Sequence, residues 1–144
     1  MNKYTTWLRA AAIFQLIFAL IHSVTLFIDQ APENETEKQL FTLMQSYKFD
    51  FGAGFQRSMN ELTLVFSASL CLLMLFAALT NWYLLRKNTE VEIMTGVINI
   101  NLLVFGICFG LIVAFAFLPP IILSGLILLF LIVSRLTVGR THSS

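Results

Sequence analysis

Four stretches of this chain are apolar enough, and long enough, to cross a lipid bilayer, and nothing else in it restricts the fold as strongly. They are "WLRAAAIFQLIFALIHSVTLFI" (7–28), "LTLVFSASLCLLMLFAALTNWYLL" (62–85), "VEIMTGVININLLVFGICFGLIVAFAF" (91–117) and "PIILSGLILLFLIVSRL" (120–136). Roughly 20 apolar residues span a hydrocarbon core of about 30 Å as a helix. An open strand in lipid leaves its backbone groups unpaired, so each stretch reads as a helix. Composition agrees. Charged residues make up 12% of the chain, half of the roughly 25% usual in soluble domains. The expected fold is an all-α membrane protein, a single domain over 1–144 built as a four-helix transmembrane bundle.

The first stretch follows Lys3 and contains Arg9, so it has to be weighed against a signal peptide. Its apolar run exceeds the usual 7–15 residues and no small-residue cleavage site follows, which favours a retained helix. With four alternating spans, Lys3, Arg9, Arg86, Lys87, Arg135 and Arg140 fall on one side and Lys38, Lys48 and Arg57 on the other. Six against three places both termini in the cytoplasm, with Tyr4, Trp7, Trp82 and Tyr83 as an aromatic belt at that face.

The linkers differ in length. "FLPP" joins the third and fourth spans tightly, and "RKNTE" joins the second and third. The first linker is about thirty residues long and would lie outside the membrane. Within it, Leu40, Phe41, Leu43, Met44 and Tyr47 have amphipathic helical spacing, so a helix is expected over about 34–48, capped at Asn34 or Thr36. Gly52 and Gly54 then break the chain. The next helix is expected to begin near Phe55 and to run on to about residue 85. Asn34-Glu35-Thr36 matches a glycosylation sequon, a pattern common by chance.

Polar residues at membrane depth are costly and face inward as a rule. Gln15 and His22 are seven apart on one face of the first span, beside Ser23, with Ala11 and Ala19 leaving room for a neighbour. If a helix starts near Phe55, Arg57 and Glu61 are i,i+4 and pair, and Asn60 and Ser67 extend the polar stripe. A cluster of His22, Arg57, Asn60 and Glu61, with Asp50 at its lip, is the candidate ligand site. The competing reading leaves Arg57 and Glu61 at the water interface, where an ion pair is worth about 0–1 kcal/mol. Thr95, Asn99 and Asn101 lie toward the other end of the bundle. Gly106 and Gly110 form a GxxxG motif, which allows close helix approach. Its expected partner is the fourth span at Ser124 and Gly125, with a homo-oligomer as the alternative.

Several chemistries find no footing. Net charge is +1 and no basic patch with interleaved aromatics suggests nucleic acid. Cys71 and Cys108 fall inside apolar runs, as free buried thiols do. There is no CxxC, His22 and His142 are far apart, and neither a metal nor a cofactor is expected. No nucleophile elbow, zinc-protease motif or phosphate loop occurs. No internal repeat suggests a transporter, and four short helices leave a monomer little room for a pore.

The chain resembles a family of small uncharacterised bacterial membrane proteins with four spans. The resemblance rests on "LRAAA" at 8–12, His22, the long first linker, Phe49-Asp50, Arg57-Ser58 and the acid at Glu61. It implies the four-helix fold and a bacterial inner membrane, and it brings no activity. The family carries aromatics where this chain has Met59 and Asn60, which leaves an aromatic-lined pocket unsupported.

Three functions fit these residues. The first is a binding or accessory protein that holds a membrane lipid or apolar small molecule at the outer polar cluster. The second is an intramembrane enzyme, such as an isomerase with Glu61 and His22 as acid and base. The third is a structural or assembly role in which the cluster only fixes helix register.

Overall fold

The computed structural model describes residues 3–28 and 31–138. Arg140 and His142 lie outside the described residues. Five helices and one small hairpin follow in order: α1 (Lys3–Thr25), α2 (Glu35–Ser46), β1 (Lys48–Asp50), β2 (Gln56–Ser58), α3 (Met59–Arg86), α4 (Val91–Phe115) and α5 (Leu118–Val138). α1, α3, α4 and α5 are long and apolar enough to cross a membrane. They are apolar on nearly every face, the pattern of a span rather than of a surface helix. Phe66, Leu73 and Phe76 on α3, and Leu103 and Ile107 on α4, are accordingly well exposed.

The linker helix is the amphipathic one foreseen over 34–48. The Asn34 side chain accepts from the Glu37 backbone N–H at 2.9 Å, and the Glu37 carboxylate accepts from the Glu33 N–H. The first bond satisfies a backbone donor that the helix start leaves open, and the second ties the preceding residue to the first turn.

The helix foreseen from near Phe55 begins later, at Met59, because 48–58 is an antiparallel hairpin. Lys48 pairs with Ser58, Phe49 with Arg57 and Asp50 with Gln56. Gly52, Ala53 and Gly54 all take left-handed φ between 51° and 83°, a region that glycine enters at little cost. Asp50 fixes the entry to the turn by accepting from the Gly52 N–H at 2.8 Å. Ser58 then opens α3 with a capping box: its hydroxyl accepts from the Glu61 N–H, and the Glu61 carboxylate accepts from the Ser58 N–H at 2.7 Å.

At the other end of α3, Asn88 turns the chain at φ 50° and the Thr89 hydroxyl donates to the Leu84 carbonyl at 3.0 Å. α5 opens with Pro119 and Pro120 in its first turn, where a missing N–H costs nothing.

α1 lies at the centre of the bundle. It packs against α3 on one side and α5 on the other, and α4 packs against α5. α3 and α4, although joined by the shortest polar link, approach each other little. Small residues let α1 sit there: Ala11, Ala12 and Ala19 are all buried. Leu8, Ile98, Ile127 and Leu131 are sealed completely. Trp7 stacks on Phe130 with ring centroids 5.9 Å apart, and Phe14 tilts onto the same ring. The Ser134 hydroxyl donates to the Tyr4 carbonyl at 3.0 Å, fastening α5 to the start of α1. Tyr4, foreseen in the aromatic belt, is buried, whereas Trp7, Trp82 and Tyr83 stay exposed.

Candidate functional site

The polar residues expected to cluster do not converge. Gln15 and Asn81 are hydrogen-bonded, which makes them level in the bundle. Arg9 lines a cavity with Trp82, Leu85 and Arg86, so α1 and α3 run antiparallel. At 1.5 Å per residue, His22 sits about 10 Å above that level and Glu61 about 30 Å above it. About 20 Å of helix therefore separates them. An acid and a base working on one substrate need hydrogen-bond reach of about 3 Å, so Glu61 and His22 do not form such a pair. The expectation failed because it assumed that α1 and α3 end at the same depth, whereas α3 overshoots α1.

Glu61, Asp50 and Arg57 are instead engaged locally by hydrogen bonds, while among the described residues Asn60 and His22 are not. Glu61 closes the capping box with Ser58. Asp50 holds the hairpin turn. Arg57 lies on β2, not on a helix with Glu61, and donates to the Gln56 carbonyl at 3.1 Å while exposed. Asn60 is exposed in the first turn of α3. His22 is half-buried with its ring 6.1 Å from that of Phe18, and its imidazole has no hydrogen-bond partner among the described residues.

The polar convergence of this molecule lies deeper, in three amides. Gln15, Asn81 and Asn101 come from α1, α3 and α4. Asn81 Nδ2 donates to Gln15 Oε1 at 3.1 Å and to Asn101 Oδ1 at 3.2 Å. Asn101 Nδ2 donates back to Asn81 Oδ1 at 3.3 Å and to the Val97 carbonyl at 2.9 Å. Gln15 Nε2 reaches Asn101 Oδ1 at 3.4 Å. Gln15 and Asn81 are wholly buried, and no buried side-chain polar atom among the described residues lacks a partner. Uncharged amides can both give and accept, so a closed set of three needs no water. The network ties α4 to α1 and α3 at the place where backbone packing does not.

The GxxxG motif does not meet α5. A Cβ placed on Gly106 or Gly110 would find nothing within 4 Å, and Gly110 is exposed. The close approach between α4 and α5 is made from the opposite partner: Phe109 lies over Gly125, 3.3 Å from where a Cβ would stand. Ser124 is buried but turns inward on its own helix, donating to the Pro120 carbonyl at 2.7 Å. Asn99 serves the α4–α5 contact too, accepting from Arg135 Nε at 2.7 Å.

Two cavities open at the arginine-bearing end. The larger, about 440 Å³, lies between the start of α1 and the α3–α4 link and is lined by Tyr4, Thr5, Arg9, Leu85, Glu90 and Met94 among others. The smaller, about 360 Å³, is lined by Arg9, Trp82, Leu85 and Arg86. Arg9 and Leu85 border both. Sequence reading assigned Arg9, Arg86 and Trp82 to topology alone, because their approach depends on the antiparallel register of α1 and α3.

The arrangement offers an apolar wall, two guanidinium groups and an indole N–H at one end, and a sealed amide lock further in. No protein-family model, curated protein or solved structure matches the chain.

Proposed function

We propose that this protein is a small binding or accessory component of a membrane that holds a lipid or other amphipathic molecule. The observation that supports this most is the pair of cavities sharing Arg9 and Leu85 at the arginine-bearing end. Ligand sites of this kind combine an apolar lining with a few convergent polar groups. The reading moves the ligand away from His22, Arg57 and Glu61. It also carries an orientation: the end with Lys3, Arg9, Arg86, Lys87 and Arg135 faces the cytoplasm.

A structural or assembly role is the second reading, favoured by the Gln15–Asn81–Asn101 lock. Native mass spectrometry of the gently extracted protein, with identification of bound lipid, separates the two. Retention of one defined lipid class supports binding. A bare chain in every mild detergent favours the structural role.

A further inference from the structure

We propose that the smaller cavity at the arginine-bearing end is a site for a phosphate-bearing anion, with Arg9 of α1 and Arg86 of α3 as its two clamps. This rests on the binding role proposed above and names the ligand chemistry. The cavity holds about 360 Å³, ample for a phosphate diester, and its lining is Arg9, Trp82, Leu85 and Arg86 with no carboxylate among them. Glu90 lines the neighbouring cavity instead. Arg86 has no ion pair among the described residues.

The chemistry of these side chains selects the ligand. A guanidinium presents a planar fork of donors that matches phosphate oxygens two at a time. The Trp82 indole can only donate, so its N–H adds a third donor and suits an acceptor-rich group. Leu85 is nearly buried and provides an apolar floor. Among the described residues, no lining group supplies the negative charge that a cationic ligand would need.

The surroundings favour an amphiphile over a soluble ion. Trp82, Leu79 and Leu72 continue along one face of α3 above Arg86, and all three are exposed, at 44%, 58% and 65%. An acyl chain attached to a phosphate held at Arg86 has this apolar lane beside it. Trp82 stands at the boundary, where an indole spans the apolar and polar zones.

The test uses the full chain in mild detergent, offered phosphatidylglycerol and a diacylglycerol of matching chains together, with adducts counted by native mass spectrometry. The wild type is expected to take the phosphatidylglycerol in preference. Arg86→Gln and Arg9→Gln should each lower that preference roughly tenfold, the loss expected for one charge-assisted contact. Arg135→Gln, outside the cavity lining, should leave it unchanged. Thermal unfolding of each variant, read by circular dichroism, verifies the fold. If Arg9→Gln does not fold, exposed Arg86 carries the test. A parallel titration with inorganic phosphate separates the sources: saturation by phosphate alone, lost in Arg86→Gln, assigns the site to a free anion. Equal uptake of both lipids by wild type and variants overturns the headgroup site while leaving lipid binding intact. Uptake of neither lipid, with no response to phosphate, overturns both.

Discussion

Asn81 is the side chain at which three helices become one structure. It bonds to Gln15 and Asn101 simultaneously in a fully buried setting. Asn81→Ala removes both contacts and leaves Gln15 Oε1 without its donor, while Gln15 Nε2 keeps its 3.4 Å bond to Asn101. The expected loss is about 1–2 kcal/mol, since an unmet buried polar group costs more than a surface one and membrane hydrogen bonds fall at the low end. Unfolding in mixed micelles with added dodecyl sulfate measures it. Replacing Gln15, Asn81 and Asn101 together by leucine is expected to cost less than the three single losses combined, because no polar group is then stranded. Additive losses would mean that the three amides act separately. Gln15 and Asn101 were visible in the sequence as polar residues at depth. Asn81 was not singled out; it adjoins Trp82 and Tyr83 near the end of its span. Its role appears only when α1 and α3 are set in register.

Helix α3 shows both what local chemistry makes legible and what it does not. Ser58-Met59-Asn60-Glu61 carries the S-x-x-E spacing of a capping box, a signal for a start at Met59. The expectation of a helix from near Phe55, with Arg57 and Glu61 as an i,i+4 pair, did not use it. The three-residue strands on either side of the turn are too short to show a period, and only the glycines at 52 and 54 marked them. Ser58→Ala should destabilise the first turn of α3 by about 1 kcal/mol. Faster amide exchange at 59–62, with the rest of α3 unchanged, is the expected result. In α4 the open space around Gly106 and Gly110 leads to an unusual expectation. Alanine at either position should be neutral, or stabilise by up to about 1 kcal/mol through helix propensity. If the substitutions instead dissolve a dimer seen by native mass spectrometry, that face is an interface between copies. Gly125→Leu, under Phe109, should disrupt the α4–α5 contact and lower thermal stability, whichever result Gly106 gives.

At the scale of the molecule, four spans and one amphipathic linker helix were legible because the bilayer requires long apolar runs and the linker keeps helical spacing. The pairing of α1 with α5 and the separation of α3 from α4 were not, since adjacent segments of a chain pack together more often than not and here α3 and α4 do not. Orientation has its own measurement. With Cys71 and Cys108 replaced, a cysteine at Lys48 should react with an impermeant reagent from outside intact cells, and one at Lys87 should not. The reverse pattern would invert the protein and with it the leaflet of the Arg9–Arg86 site. The pairing of helices also bears on how the chain is made. One half, α1 with α3, is complete before α4 emerges, and α4 finds its partner only when α5 follows. On this pairing the link at 87–90 is expected to join two hairpins that tolerate a break between them. Fragments 1–87 and 88–144, synthesised together, should find each other in the membrane and purify as a pair, held by the contact of α1 with α5 and by the three amides. Such a result would make the molecule a docked pair of halves, with the covalent connection between them serving mainly to keep their numbers equal.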